Sequence, residues 1–343
     1  MRSLVLLVAL TLSVVACGDD DNGSGEYVSV ADFNAAYKDA ECTFLTNCGL
    51  FADKATCLRS QLFNGGAYSL SGDLRDAIAK GRVLYNGNAV KECFDEIANA
   101  TCDKTDESGR VPVLACLQFT RGTLGADAAC LLDQECISQN CRVLVADDPC
   151  AMGTCVGDTA PTISIPLNGE SCNSVIGCGR GSYCDTTSSF VCTPLKTSGE
   201  TCVDTHECGY GLGCAGSPRT CRTLPAPNEA CPDAICRDDG QHCIGAVCKP
   251  LGLLGATCAS NSDCSPYFPC DFNTSMCKKT PSIGESCATT NSRCFDEHSY
   301  CDGATLTCVA AKPDGAACTT NLQCQSENCD FSSSTCIAPS CSG

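Results

Sequence analysis

The sequence predicts a small disulfide-rich fold. An α-helical N-terminal domain comes first, then seven tandem modules of about 30 residues, each stapled by disulfides and built of short β-hairpins and loops. Three observations predict this. Cysteine supplies 37 of the 343 residues and tryptophan none, so cross-links take over part of the work of an apolar core. From Cys130 onward the cysteines recur on a period of about 30 residues. Residues 26–120 hold only six cysteines and carry a helical pattern instead.

Within 26–120, Val30, Phe33, Tyr37, Ala40, Phe44 and Cys48 recur at steps of three and four, the mark of an amphipathic helix. Ser29 is placed to cap it and Gly49 to end it. Further helices are expected over Lys54–Phe63, Gly72–Lys80, Ala89–Asn99 and Val113–Phe119, with breaks at Gly81, Asn86-Gly87 and Asp103–Pro112. The six cysteines are Cys42, Cys48, Cys57, Cys93, Cys102 and Cys116. Cys48 and Cys57 are near enough in sequence to tie one helix end to the next helix start. Spacing alone leaves about 15 pairings open for six cysteines.

The modules begin near residues 125, 169, 199, 228, 255, 284 and 315. The first holds Cys130, Cys136, Cys141, Cys150 and Cys155, and the second Cys172, Cys178, Cys184 and Cys192. The third holds Cys202, Cys208, Cys214 and Cys221, and the fourth Cys231, Cys236, Cys243 and Cys248. Cys258, Cys264, Cys270 and Cys277 follow, then Cys287, Cys294, Cys301 and Cys308. Cys318, Cys324, Cys329, Cys336 and Cys341 make the seventh. Gly169, Gly199, Gly255, Gly284 and Gly315 each stand three residues before a first cysteine, a turn signal at a fixed offset. Asp185, Asp271, Asp302 and Asp330 each follow a third cysteine. The expected pairing is first to third and second to fourth. Closing a 15-residue loop contributes roughly 3 kcal/mol, enough for two such loops to replace a core in so short a module.

The N-terminus accounts for the odd cysteine. Met1-Arg2-Ser3 is a basic start, Leu4–Val15 an apolar run too short to span a bilayer, and Val14-Val15-Ala16-Cys17 ends it. This resembles the lipobox of bacterial lipoproteins. The resemblance implies removal of residues 1–16 and lipidation of Cys17, which anchors the chain to a membrane and leaves 36 cysteines to pair. Gly18 after the lipidated residue implies the outer membrane, with Asp19 at the next position weakening that sorting signal. Residues 17–25 read as an acidic tether. The net charge of −18 disfavours nucleic acid as a partner.

Cys130-Leu-Leu-Asp-Gln-Glu-Cys136 and Cys202-Val-Asp-Thr-His-Glu-Cys208 resemble the Dickkopf N-terminal cysteine-rich domain and the related EB-type, EGF-like modules. The likeness covers residues 125–343 and rests on spacing. It implies a scaffold of small stapled modules and no receptor role, since function does not travel with a scaffold. The whole chain is similar to bacterial cysteine-rich lipoproteins in which a helical domain precedes such repeats.

Catalytic and metal-binding patterns are missing from the sequence. There is no C-x-x-C pair, and His206, His242 and His298 are scattered, so neither a zinc site nor a redox motif forms. No G-x-S-x-G, P-loop or H-E-x-x-H occurs. Asp238-Asp239 and Asp296-Glu297 read as solvated turns rather than cation sites. The aspartates after the third cysteines read as Asx-turns, and Tyr183, Tyr300, Phe272 and Phe331 as rings packed on disulfides. The expected function is therefore that of a non-enzymatic, anchored cell-surface module with no cofactor, binding a protein or glycan and carrying its repeats as a stalk. A purely structural spacer and an enzyme with its site in 26–120 are the alternatives.

Overall fold

The computed structural model describes residues 27–60, 70–104, 106, 114–143, 151–160, 165–172, 178–187, 189–288 and 294–337. The apolar start, Cys17, the acidic tether, Cys150 and Cys341 lie outside the described residues.

Among the described residues, five helices form the N-terminal region: α1 (Phe33–Asn47), α2 (Lys54–Arg59), α3 (Gly72–Ala79), α4 (Gly87–Ala98) and α5 (Leu114–Leu117). Side chains at three N-caps explain where helices start. Asp53 accepts from the Thr56 amide, Ser71 from Leu74 and Asn86 from Ala89. Ser29 does not cap α1. It accepts from the Asp32 amide at 3.1 Å and so closes the turn before the helix. Gly49, with φ +72°, ends α1: its amide reaches the Thr46 carbonyl and that of Leu50 reaches Leu45. α2 stops at Arg59, because Ser60 is extended at ψ 153° and enters a bridge with Asp296. Residues 61–63 lie outside the described residues.

The core of this region is an ordinary apolar one. Phe33, Ala40, Leu70, Val90 and Phe94 are buried together, with the rings of Phe33 and Phe94 5.1 Å apart, edge to face. A short ribbon, β1 (Val83–Tyr85) against β2 (Thr120–Gly122), runs antiparallel beside it. Disulfides join Cys42–Cys57, Cys48–Cys102 and Cys93–Cys116. The expected Cys48–Cys57 tie is thus replaced. Cys42 is buried within α1, which packs on α2, whereas Cys48 lies beyond the last turn as the C-cap and meets Cys102.

The modules repeat one plan. The third and fourth cysteines sit opposite each other on an antiparallel hairpin, as in Cys214↔Cys221 and Cys301↔Cys308, yet are not bonded to each other. Each reaches upstream, first to third and second to fourth: Cys172–Cys184 with Cys178–Cys192, Cys202–Cys214 with Cys208–Cys221, Cys231–Cys243 with Cys236–Cys248. Cys258–Cys270 with Cys264–Cys277, Cys287–Cys301 with Cys294–Cys308, and Cys318–Cys329 with Cys324–Cys336 continue it. In the first module Cys130 pairs with Cys141 and Cys136 with Cys155, around a three-stranded sheet. The sulfurs are the buried centre of six modules, and those of the fifth lie within a larger cluster that also holds Phe268 and Phe295.

A lead-in strand completes each unit. The residue three before the first cysteine takes φ between +63° and +89° and donates its amide to the carbonyl of the last paired cysteine, as Gly199 does to Cys221. Glycine fills that left-handed position in five modules. Asp127 and Asn228 fill it in the first and fourth, two residue types that tolerate it.

Modules alternate in how their linkers join them. The third, fifth and seventh begin with a 3-10 turn, Thr205–Glu207, Asn261–Asp263 and Asn321–Gln323, and the first has Asp133–Glu135. A side chain at the end of each turn folds back on the amide after the first cysteine: Glu135 on Leu131, Glu207 on Val203, Asp263 on Ala259, Gln323 on Thr319. The linker residue six before the first cysteine makes two backbone bonds to these modules, as Lys196 does by donating to Glu207 and accepting from Gly209. In the second, fourth and sixth modules that residue is Pro166, Pro225 or Pro281, which lacks an N–H and only accepts. The structural repeat is therefore a pair of modules, firmly joined within each pair and held by fewer bonds between pairs.

The array does not extend as a stalk. It folds back so that modules four to six pack against the helical domain. Leu45, Leu50 and Phe51 share one buried cluster with Phe268 and Phe295, and Tyr267 stacks on Phe51 at 4.6 Å between ring centroids. The buried Ser265 hydroxyl donates to the Leu50 carbonyl at 2.7 Å. Ion pairs Lys38–Glu297, Arg237–Asp103 and Lys104–Asp239 rim the contact. Gly240 lies so close that a Cβ there would overlap the Cys48 carbonyl oxygen. Burial of this apolar cluster is what overrides an extended array.

Candidate interaction surface

The hairpin tips between third and fourth cysteines combine rigidity with exposed chemistry. In the fifth module Asp271 accepts from the Asn273 amide through one oxygen and from the Thr274 hydroxyl through the other. Asp302 does the same with Ala304 and Thr305. Asp330 holds Ser332 and Ser333, and Asp185 holds the Thr187 amide and hydroxyl. These are Asx-turns. Their carboxylates serve the loop itself, which accounts for them without calcium. The Lys278 ammonium, 2.5 Å from Asp271, is the main cause holding that carboxyl down at about 2. The Ser332 and Ser333 hydroxyls hold Asp330 at about 2. Both tips stay anionic at any physiological pH.

The rings beside these aspartates do not all pack on disulfides. Phe272 and Phe331 are each 67 % exposed. Both lie one residue beyond the last paired strand residue, in the turn, where no sheet face is available to them. Phe190 and Leu306 are also exposed, at the left-handed position two before the last cysteine. Tyr183 instead meets the Lys196 ammonium, 5.6 Å from its ring centroid, and Tyr300 lies opposite Val309 in its hairpin. Four tips thus hold an apolar side chain in water, beside an anchored carboxylate. A protein surface gains specificity from apolar anchors held rigidly in this way.

The acidic pairs are not solvated turns. Asp238 bonds Arg237 and bridges Asp103, while Asp239 pairs with Lys104. Burial raises the Asp239 carboxyl above its ordinary value. Glu297 pairs with Lys38, and Asp296 accepts from the Ile283 amide. Both pairs belong to the contact between the helical domain and the modules, which sequence spacing gave no means of finding. His206 and His298 lie at the surface, and His242 is half-buried in a strand. Close sulfur groups such as Cys202, Cys208 and Cys221 consist of disulfide cysteines, which offer no thiolate to a metal.

No protein family matches the chain, and no solved structure matches it. A curated protein of Heterostelium pallidum, cell-cell adhesion glycoprotein 64, is 24 % identical over 184 residues, covering 51 % of this chain. The chain spans 55 % of that relative's length. With its many disulfides, this likeness is that of an extracellular or surface protein built of repeated cysteine-paired modules.

Proposed function

We propose that this chain is a non-enzymatic adhesion or interaction protein, held at a bacterial outer surface by lipid on Cys17 and binding protein or glycan on a neighbouring surface. The observation that carries the reading is the likeness to a cell-cell adhesion glycoprotein. Two features support it. Rigid hairpin tips hold Phe190, Phe272, Leu306 and Phe331 out in water. Cys42, Cys48, Cys57, Cys93, Cys102 and Cys116 are all in disulfides, and the helical domain has no histidine, so it offers neither a free thiol nor an imidazole for catalysis. The folded-back helical domain argues against a plain spacer, which gains reach only when extended.

The test is display of the full chain on cells that do not clump. Protease shaving of intact cells should release module peptides, and displaying cells should clump or retain cells of the native host. Surface display with neither clumping nor retention would overturn the adhesion reading. Peptides released only after rupture of the outer membrane would overturn the surface reading.

A further inference from the structure

The hairpin tips of the fifth and seventh modules are built alike. One runs Cys270-Asp271-Phe272-Asn273-Thr274-Ser275-Met276-Cys277, the other Cys329-Asp330-Phe331-Ser332-Ser333-Ser334-Thr335-Cys336. In both, one aspartate oxygen accepts the amide two residues on and the other accepts the hydroxyl three residues on. Ser275 and Ser334 are both left-handed, with φ +53° and +54°, and their carbonyls accept the amides of Cys258 and Cys318. We infer that these two tips are carbohydrate-binding subsites, each stacking one sugar ring of a neutral glycan on its phenylalanine and bonding the sugar hydroxyls through the side chains beside it. The inference rests on the adhesion reading for its biological use, where it names the partner as glycan.

Three observations carry the inference. First, the hairpin does not need these rings. Thr186, Gly216, Gly245 and Gly303 hold the same place, two residues after the third cysteine, in the second, third, fourth and sixth modules, and those hairpins form. A Cβ at Gly303 would meet nothing within 4 Å, so the position faces open water. Phe272 and Phe331, 67 % exposed, gain the fold little by burial. Second, the groups beside each ring are polar. The hot spot of a protein interface sits in a charge-poor centre sealed from water. Here a carboxylate held at about 2 stands next to each ring. A sugar is amphipathic in the matching sense. Its C–H face meets the negative face of an aromatic ring, and its rim carries hydroxyls. Each aspartate accepts three bonds within its tip, and a carboxylate offers roughly four sites, so one remains for a sugar hydroxyl. The Thr274 and Ser332 hydroxyls donate to the aspartates and are left to accept from the sugar. Third, the subsite is preset. Disulfides Cys258–Cys270 with Cys264–Cys277, and Cys318–Cys329 with Cys324–Cys336, fix the strands below each tip, so little freedom is lost on binding.

Charge selects the class of glycan. The two tips share a ring, a carboxylate and hydroxyls, but not a cation: Lys278 donates to Asp271, whereas Ile337 holds its place in the seventh module. The shared chemistry is thus anionic, on a chain of net charge −18, and it repels sulfated and uronic-acid polymers. Neutral hexose polymers carry no such penalty. A single ring holds a sugar weakly. Two like tips match a ligand that repeats one sugar, and joint occupancy raises avidity by roughly a hundredfold or more.

The test applies the fluorescently labelled full chain to an array of neutral glucose, galactose and mannose polymers, with sulfated and uronic-acid polymers beside them. The native chain should bind neutral members and pass over the anionic ones. Phe272→Ala and Phe331→Ala should each weaken binding about tenfold, and the two together roughly a hundredfold. Phe272→Tyr with Phe331→Tyr keeps both rings and should keep binding. Both side chains are exposed, so every variant should melt at the native temperature, which separates a lost contact from a lost fold. An array silent to the native chain, binding that the double alanine variant keeps, or binding confined to anionic members overturns the subsites. If the array is silent and displaying cells still clump, the adhesion reading stands with a protein as partner. If the array binds as expected and displaying cells neither clump nor retain host cells, the subsites stand and the adhesion reading falls.

Discussion

The helical domain and a single module reach stability by opposite routes. The domain buries Phe33, Val90, Phe94 and Leu70 and adds three disulfides to a core that already exists. The third module buries Cys202, Cys208, Cys214 and Cys221 beside a half-buried Leu212, and its apolar share is otherwise Ala215 and one fully buried leucine, Leu224. There the cross-links are the core. One region should therefore outlive the loss of a disulfide and the other should not. At the contact between them both sides combine apolar side chains with cystines: Leu45, Leu50 and Phe51 beside Cys42–Cys57 and Cys48–Cys102, against Phe268 and Phe295 beside Cys258–Cys270 and Cys264–Cys277.

The largest effects should come from the aromatic positions. Phe51→Ala and Phe33→Ala each delete a fully buried ring, at a cost of about 3–5 kcal/mol. The outcomes should differ in kind. Phe33→Ala should melt the helical domain, seen as loss of helical circular dichroism. Phe51→Ala should release the domain from the modules with its helices kept, seen as a larger radius in small-angle X-ray scattering. If Phe51→Ala loses helix as fully as Phe33→Ala, the two regions are one cooperative unit and the comparison fails.

Disulfide removal comes next. Cys208→Ala with Cys221→Ala opens a loop of 13 residues, and Cys93→Ala with Cys116→Ala one of 23, each at about 3 kcal/mol by the chain-entropy account. Near-equal costs should give unequal results. The third module should lose amide-exchange protection throughout, while α4 keeps its own. Equal loss in both would show that the helical core is also secondary to its cross-links.

Much of this was legible in the sequence, for a physical reason. A module is set by local spacing, so the cysteine period, the glycines before first cysteines and the Asx aspartates each report a contact a few residues away. Asp127 and Asn228 went unread because the left-handed position accepts them as well as glycine. The pairing of modules was written in Pro166, Pro225 and Pro281, but it is visible only once the partner of each linker amide is known. The fold-back was not legible. Phe51, Tyr267, Phe268 and Phe295 follow no common period, and Asp238, Asp239 and Glu297 look like any acidic turn until Arg237, Lys104 and Lys38 are seen beside them. Contacts at long sequence separation leave no local pattern.

The smallest effect concerns pH, and here the two regions should have opposite signs. Asp271 and Asp330 at the tips are held at about 2, below the ordinary 3.8. Their stabilising share is present above 3.8 and fades as pH falls toward 2. Glu41 on α1 goes the other way. Burial raises its carboxyl above the ordinary 4.5, and it acts on Tyr267 across the contact, where burial first and this carboxylate second push the phenol up. A raised acid binds its proton more tightly in the folded form. Its favourable share is therefore complete below 4.5 and is lost as pH rises from there through the raised folded value. Glu41→Gln cannot ionise, so the variant should melt slightly higher than the native chain at about pH 7 and no higher at about pH 4. Melting curves of both proteins at the two pH values decide it. A gain of equal size at both would mean that Glu41 acts by packing rather than by charge, and the contact would then carry no pH dependence of its own from this residue.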